Sequence, residues 1–561
     1  MDLNATLKDA QVNIDDLTPS LRSLITLLFN KIEDLSEEVK VLKMENQKLR
    51  DENNRLKGEQ GKPDIRPQTS SKDFSSEQER KDPLKKKQKK SKAKNHKIHI
   101  NRTQRCPVDK SKLPADAIFK GLACVVVQDL TITPDNIEFE KEIYYSPSLK
   151  KTYTGNVPDG YEGEFGPGIK TYIINSYHNS KMSHSAIVES LKTYGIEIAA
   201  STVSLILTDN QEAFHQEKQD IVEAGLESGL PQQMDDTSGR FKGKNWFVHI
   251  LCNALYTAFF SRPNKTRLTI LEILAGSRLS FKFNETAYAL MEQMKLPDKA
   301  IQDLRARKLE GNLTRQEVDD ILAQMYPNSE KHEKNRKTIL EACGIAAYQE
   351  SPGAVKILLT DDAPQFKGIT ELLALCWIHE GRHYKKLTPY LYLHQQEVDN
   401  FLDKFWEYYK KLLAWKTSPD ANQAKALEEE FDVLFLTKTG YDALDKRIAM
   451  TKAKKEYLLL VLRYPEIPLH NNTAEIAARC QARKRDSSFH TMSQKGTEAK
   501  DTFMTIVETA KKHGVNVYTY LYDRITKKYT MPSLATLIKQ SSISDQEPHN
   551  HSQSFSVPVA A

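Results

Sequence analysis

Three short stretches carry acids in settings that suit metal chemistry. The first is KILLTDDAPQF, residues 356–366, where the apolar run Ile357, Leu358, Leu359 ends in Asp361 and Asp362. A strand that delivers an acid at its tip holds a ligand rigidly, although an Asp there also serves ordinary turn chemistry. The second is QMDDT, which places Asp235 and Asp236 at a strand-like edge. The third is HNNTAEIAAR, where Glu475 precedes Arg479 by one helical turn, so both share a face. Singly, each acid has a plain reading as a cap or an ion-pair partner. Together they offer oxygen ligands, which suit Mg²⁺ or Mn²⁺ where Cys or His would favour zinc. Two such ions about 3.5–4 Å apart divide the work at a phosphodiester: one activates the attacking oxygen, the other stabilises the leaving oxygen.

The surrounding pattern supplies elements to position these acids. Strands are expected at 232–235, 245–252 and 256–261, the last two joined by Asn253-Ala254-Leu255. A helix follows at 267–274, then a charged, helical insertion at 277–350, a fourth strand at 355–360 and a helix at 370–386. A second helical insertion spans 388–465, and the Glu475 helix comes after it. Three meandering strands, a helix, a fourth strand and later helices match the order of an α/β ribonuclease H-like core. In such a core the first strand, the fourth strand and a later helix converge. Either Asp of each pair could ligate.

Upstream of this core the chain changes character. Leu21, Leu28, Leu35, Leu42, Leu49 and Leu56 recur every seven residues, with Ile25, Ile32, Val39, Asn46 and Asn53 between them. β-Branched residues at a with Leu at d favour a two-stranded parallel coiled coil, and the two Asn residues fix its register. A single helix packed on its own body is the competing reading. From Arg80 to Arg105 there are twelve Lys or Arg against one acid, Asp82. That run, with Lys85, Lys86, Lys87, Lys89 and Lys90 at its centre, is a solvated linker or a phosphate-seeking arm. Runs at 123–127 and 137–145 suggest a small β-rich module. Helices expected at 169–180, 184–194 and 200–207, with Gly195 in the second turn and Ser201 and Thr202 opening the third, fit a helix-turn-helix or an ordinary three-helix unit.

Composition sets outer limits. The 561 residues suggest three or four domains, with a hydrophobic content of 39% and a net charge of +6. No run approaches the ~18 apolar residues of a membrane span. The N-terminus lacks a basic-then-apolar leader. Cysteines 106, 124, 252, 343, 376 and 480 show no paired spacing, which reads as a reduced intracellular chain.

Over residues 21 to about 525 the chain resembles the bacterial DDE transposases of the insertion sequence sixty-six family. Asp235-Asp236-Thr237 is similar to the family's Asp-Glu-Thr, and Asp361 with Phe366 keeps its Asp-to-aromatic spacing. Cys376-Trp377-Ile378-His379-Glu380-Gly381-Arg382 follows its Cys-Trp-x-His-x-x-Arg pattern. Asn471-Asn472-Thr473-Ala474-Glu475 with Arg479, then Arg483-Lys484, Phe489, Ser493 and Gly496, fits its third motif. So do Thr509-Ala510-Lys511-Lys512-His513-Gly514 and Tyr520-Leu521 near the end. His470 departs from the family's Asp, and no Cys-x-x-Cys follows Cys106-Pro107, so no structural zinc is expected there. Cys376, His379 and His383 read as lining the core beside the active site rather than holding a metal.

The resemblance implies a DNA transposase that cuts and joins the ends of an insertion sequence with Mg²⁺ or Mn²⁺ at Asp235, Asp361 and Glu475, chosen over Asp236 and Asp362 by motif register. It implies double-stranded DNA at the basic arm, Ser201, Thr202, Arg479, Arg483 and Lys484, and a homodimer through the zipper. It also implies accessory proteins of the same element and a cytoplasmic, nucleoid-associated location. A DNA-binding derivative without catalysis and a nuclease without strand transfer are the alternatives. The expected organisation is a disordered start (1–20), a coiled coil (21–57), a disordered basic linker (58–105) and a β-rich module (106–165). A helix-turn-helix region (166–228), the catalytic core (229–496), C-terminal helices (497–540) and a disordered tail (541–561) complete it.

Overall fold

The computed structural model describes residues 18–56, 99–109, 112–114, 116–328 and 330–546. The basic run at Lys85–Lys90 and most of the expected linker lie outside the described residues, as do both chain ends. The chain forms two compact units. One comprises Met1–Asp73, Val157–Ile187 and Ala200–Ala561; the other comprises Phe74–Asn156 and Val188–Ala199.

In the first unit, helix α1 spans Pro19–Leu56. Pro19 sits at its first position, where a missing N–H costs nothing. Phe29 is buried, Asn30 donates to the Gly440 carbonyl (2.9 Å) and accepts from the Asp442 N–H (2.9 Å). Glu33 accepts the N–H groups of Tyr390 (2.7 Å) and Leu391 (2.8 Å). One side of α1 thus docks on the body. The heptad leucines point elsewhere: Leu35, Leu42 and Leu49 are 59%, 55% and 61% exposed.

The second unit holds a hairpin, β1 (Ile143–Ser146) and β2 (Lys151–Thr154), paired Tyr144 to Tyr153. The expected strand at 123–127 is irregular, with Val125 and Val127 largely exposed. Its apolar residues find neither a ladder partner nor a covering layer, and a lone strand is not stable without them.

Helices α2 (Pro167–His178), α3 (His184–Thr193) and α4 (Ala200–Thr208) fall where the sequence places them, and α5 (Glu212–Leu226) follows. A five-stranded sheet then forms from β3 (Gln232–Phe241), β4 (Lys244–Cys252), β5 (Thr257–Arg262), β6 (Ile357–Thr360) and β7 (Leu372–Leu375), in the order β5-β4-β3-β6-β7. The first three are antiparallel, and β6 and β7 run parallel to β3. Lys242 and Gly243, both at positive φ, make the two-residue turn between β3 and β4.

Helix α6 (Arg267–Ala275) leads into the first insertion, made of α7 (Glu285–Gln293), α8 (Asp298–Ala306), α9 (Arg315–Met325) and α10 (Glu333–Gln349). These helices close over their own core of Phe281, Met291, Leu304, Leu322 and Ile339. After β7 come α11 (Trp377–Lys385), α12 (Tyr392–Thr417), α13 (Ala421–Leu434), α14 (Asp442–Lys452) and the short α15 (Lys455–Leu458). The helix expected at 370–386 therefore divides into strand β7 and helix α11. A four-residue strand buried on both faces reads as a plain apolar run, which periodicity cannot separate from helix.

Helix α16 (Asn472–Ser488) carries Glu475, and α17 (Gln494–Lys512) covers the β5 edge. Asp501, Thr505 and Thr509, four residues apart on α17, accept the N–H groups of Ser261 (2.6 Å), Phe259 (3.1 Å) and Thr257 (3.2 Å). Four helical residues rise about 6 Å and two strand residues about 6.8 Å, so the two periods nearly match and the edge is satisfied. Helices α18 (Val517–Ile525) and α19 (Leu534–Gln546) end the described chain. The latter runs past position 541, where a disordered tail is expected from sequence.

Candidate active site

Sheet register brings the first two acids together. Gln232 and Gln233 of β3 pair with Leu358 and Leu359 of β6 in parallel. Asp235 lies two residues past that pairing on β3 and Asp361 two residues past it at the end of β6, and the Asp361 charge acts on the Asp235 carboxyl. Asp235 Oδ1 accepts the Asp236 N–H (2.8 Å), and Asp361 Oδ1 accepts the Ala363 N–H (3.1 Å), which pins each carboxylate at its strand.

The third acid arrives on the first turn of α16. The buried Asn471 just before that helix donates from its side chain to the Met234 carbonyl (2.8 Å), one residue before Asp235. The Asn471 N–H points to Cys376 Sγ (3.3 Å), and Trp377 N–H donates to the Leu469 carbonyl (3.0 Å). The Glu475 N–H closes the turn on the Asn471 carbonyl (3.0 Å). Glu475 is buried and held at both oxygens by Arg382 (3.0 Å each), with Arg479 at 3.4 Å. The expected Glu475–Arg479 neighbour relation is present, while the stronger partner, Arg382, lies 93 residues away in sequence.

Electrostatics link the three. Burial lifts the Asp235 carboxyl to about 7; the Asp236 N–H works against the rise, and the negative charges of Asp361, Asp236 and Glu475 add to it. Asp235 therefore lies within the field of the other two acids.

The second residue of each pair is engaged differently. Asp236 meets Lys265 (3.2 Å) and Gln365 (3.2 Å). Asp362 meets Lys454 (2.7 Å) and Lys367 (3.0 Å); burial would raise its carboxyl, and these lysines hold it below the usual range. Lys454 also reaches the buried Glu380 (3.0 Å), which pairs with Arg447 and accepts from Thr451 (2.5 Å). No cation pairs with Asp235 or Asp361 among the described residues. Sequence reading missed this lysine network, because Lys454 lies in an insertion and nothing in its local pattern marks it.

Oxygen donors alone, one of them a carboxyl lifted to about 7 by burial with the neighbouring negative charges adding to the rise, fit a hard divalent cation, whose charge would favour the ionised form. Close by, Cys376, His379 and Glu475 offer a sulfur, a ring nitrogen and a carboxylate oxygen within 4.8 Å of one another. His383 is not in that group.

The other expected site residues are spread more widely. Ser201 is exposed and Thr202 half-buried at the start of α4; Arg479 and Arg483 are exposed on α16. Lys484 differs from expectation. It is 1% exposed, its ammonium lies 3.0 Å over the Tyr177 ring, and burial with Lys181 and Lys500 nearby pulls its pKa down to about 6. As placed, it faces the protein and not a phosphate.

Fold and site thus define an α/β protein with three carboxylates gathered at one end of a mixed sheet. Residues 348–499 match the family described as "Transposase IS66 family". The matched segment includes Asp361, Cys376 to Arg382 and Glu475; Asp235 lies upstream of it. The chain is also similar to "Uncharacterized protein y4jO" of Sinorhizobium fredii, 29% identical over 310 residues, 54% of this chain and 94% of that protein. No helix among the described residues is long and apolar enough to cross a membrane.

Proposed function

We propose that the chain is a DDE-type DNA transposase, cutting and joining the ends of an insertion sequence at Asp235, Asp361 and Glu475. The observation that carries this reading is the approach of those acids: the charges of Asp361 and Glu475 both act on the buried Asp235 carboxyl, and Asn471, four residues before Glu475, is tied to Met234 beside Asp235. The strand order, three antiparallel strands with two parallel ones added beside the first, supports a ribonuclease H-like core.

Asp235, Asp361 and Glu475 would hold Mg²⁺ or Mn²⁺. Bound there, the cations would activate an attacking oxygen and stabilise the leaving oxygen of a phosphodiester. The chain's own residues do the rest. β3 and β6 fix two carboxylates in register, and Lys265, Lys367 and Lys454 neutralise the neighbouring pair members. Arg382 keeps Glu475 in one orientation and must release an oxygen before that acid can ligate. Arg479 and Arg483 offer exposed guanidiniums to DNA phosphate.

The basic run at Lys85–Lys90 supplies a sequence-independent grip, and α3 and α4, with Ser201 and Thr202, supply a helix-turn-helix reader. The exposed leucine row of α1 pairs two copies as a coiled coil, while its other side stays docked on the body. Accessory proteins of the same element complete the partners, and the working location is the bacterial nucleoid.

The test is a strand-transfer assay with the full chain, Mg²⁺ and element-end DNA. Cleavage with joining is the expected result, lost in Glu475→Gln. Cleavage without joining would make the protein a nuclease. DNA binding without cleavage, or unchanged cleavage in Glu475→Gln, would overturn the catalytic assignment.

A further inference from the structure

A second set of donors meets at Glu475, and its chemistry differs from that of the three acids. Cys376 precedes α11, and its Sγ receives the Asn471 N–H at 3.3 Å, with the N–H groups of His379 and Ile378 also directed at it. Burial pushes the Cys376 thiol up to about 11 and these backbone donors oppose the rise, so it is the placement of the sulfur, and not a preformed thiolate, that marks it as a ligand. His379 lies one turn along the same helix. Its Nε2 is 3.7 Å from Glu475 Oε1, and its buried Nδ1 has no hydrogen-bond partner. Ligands around a tetrahedral zinc, at bonds of about 2.0–2.3 Å, lie roughly 3.3–3.8 Å apart. The His379–Glu475 spacing already falls in that range, and all three ligand atoms lie within 4.8 Å of one another.

The frame around them is rigid. The Cys376 N–H donates to the Thr360 carbonyl (3.0 Å) at the end of β6, and Asn471 ties α16 to β3. The obstacle is Arg382, which holds Glu475 and also lies 3.3 Å from His379 Nε2; its side chain is 39% exposed.

We infer that Cys376, His379 and Glu475 form a site for a thiophilic divalent cation, zinc foremost, with water completing the tetrahedron. On binding, the Cys376 S–H bond breaks, its proton leaves to solvent, a metal–sulfur bond forms, and Arg382 gives up the carboxylate. Oxygen-preferring Mg²⁺ gains little from sulfur, so the two kinds of cation sort by ligand type. Glu475 serves both sites. A thiophilic ion therefore draws the third acid away from Asp235 and Asp361 and switches the catalytic centre off. That consequence, though not the site itself, rests on the catalytic reading given above.

Co²⁺ is the probe, because thiolate ligation gives an intense sulfur-to-cobalt band in the near ultraviolet. The full chain is titrated with exposed Cys106 and Cys124 replaced by Ser, to remove competing thiols. A one-equivalent band is expected, displaced by Zn²⁺ and unaffected by excess Mg²⁺. Cys376→Ser should abolish it. His379→Gln should weaken Co²⁺ binding by at least the roughly 10–100-fold that loss of even an outer partner costs. Should Cys376→Ser fail to fold, His379→Gln and the Zn²⁺-dependent rise in the parent's melting temperature decide the matter. No thiolate band, a band that survives Cys376→Ser, or unaltered binding in His379→Gln would each overturn the site. Asp361→Asn separates the two readings: it should keep the cobalt band while losing Mg²⁺-dependent cleavage. Cleavage without any band sinks only the thiophilic site, and a band without cleavage sinks only the catalytic reading.

Discussion

The two acid pairs look alike in sequence and are built differently in space. At 235–236 the first carboxylate accepts the Asp236 N–H, and the second is tied to Lys265 and Gln365. At 361–362 the first carboxylate caps its own turn, and the second is clamped by Lys367 and Lys454. In both pairs the leading acid keeps no cation among the described residues, while the following acid is neutralised. The difference between the pairs lies in their partners. Asp236 is held by one half-exposed lysine, Lys265, whereas Asp362 belongs to a chain of charges running through the buried Lys454 to the buried Glu380 and Arg447. Motif register favours Asp235 and Asp361 from sequence, and the distribution of lysines argues for the same choice.

The largest effect should separate the leading from the following acids. Asp235→Asn and Asp361→Asn should each lower Mg²⁺-dependent DNA cleavage by more than ~10³-fold, the scale seen when one member of a catalytic unit is lost. Asp236→Asn and Asp362→Asn should keep most of it. Equal losses in all four variants, in a gel-based cleavage assay, would break the distinction.

Next in size is the clamp. Lys454→Met leaves Glu380 and Asp362 each short of a buried partner. The expected cost is about 3 kcal/mol, at the lower end for a broken buried pair, because Arg447 and Lys367 remain. Urea unfolding measures it. A loss below 1 kcal/mol, set against the roughly 0–1 kcal/mol of surface pairs, would make the clamp a surface ornament.

Much of this site was legible beforehand, and the reasons differ by residue. Asp361 and Glu475 stand in local patterns, a strand tip and a capped helix, that short-range rules can read. Strand β7 was not legible, since Leu372–Leu375 is a short apolar run with no alternation. Arg382 and Lys454 escaped as well, because their pairings with Glu475 and Asp362 are made across long sequence separations. Helix α1 follows the competing reading of a helix packed on its own body, with Phe29, Asn30 and Glu33 docked, while the heptad leucines are exposed. Lys484 was read as a surface cation, and only the placement of Tyr177 over it shows otherwise.

That lysine gives a pH-dependent test of how α16 is seated. In the folded chain its pKa is about 6; unfolded, it returns to about 10.4. Between those values the unfolded chain binds the proton and the folded chain does not, so this group makes stability rise with pH from about 6 to about 10. Lys484→Met should remove that contribution. The stability difference between parent and variant, measured by denaturant unfolding at pH 6.5 and pH 9, should move in the parent's favour at the higher pH. A pH-independent difference would place the ammonium in water.

The smallest expected effect concerns an acid with purely structural work. Glu33→Ala removes the acceptor for the Tyr390 and Leu391 N–H groups at the start of α12. A loss of about 1 kcal/mol is expected, as for a removed helix cap, with DNA cleavage retained. Thermal unfolding reads the first and the gel assay the second.

The most direct test of the central claim is anomalous scattering from Mn²⁺ in crystals of the full chain bound to element-end DNA. The account predicts two peaks about 3.5–4 Å apart, ligated by Asp235, Asp361 and Glu475, with Arg382 withdrawn from Glu475. Peaks ligated instead by Asp236 or Asp362, or no peak beside Asp361, would contradict it.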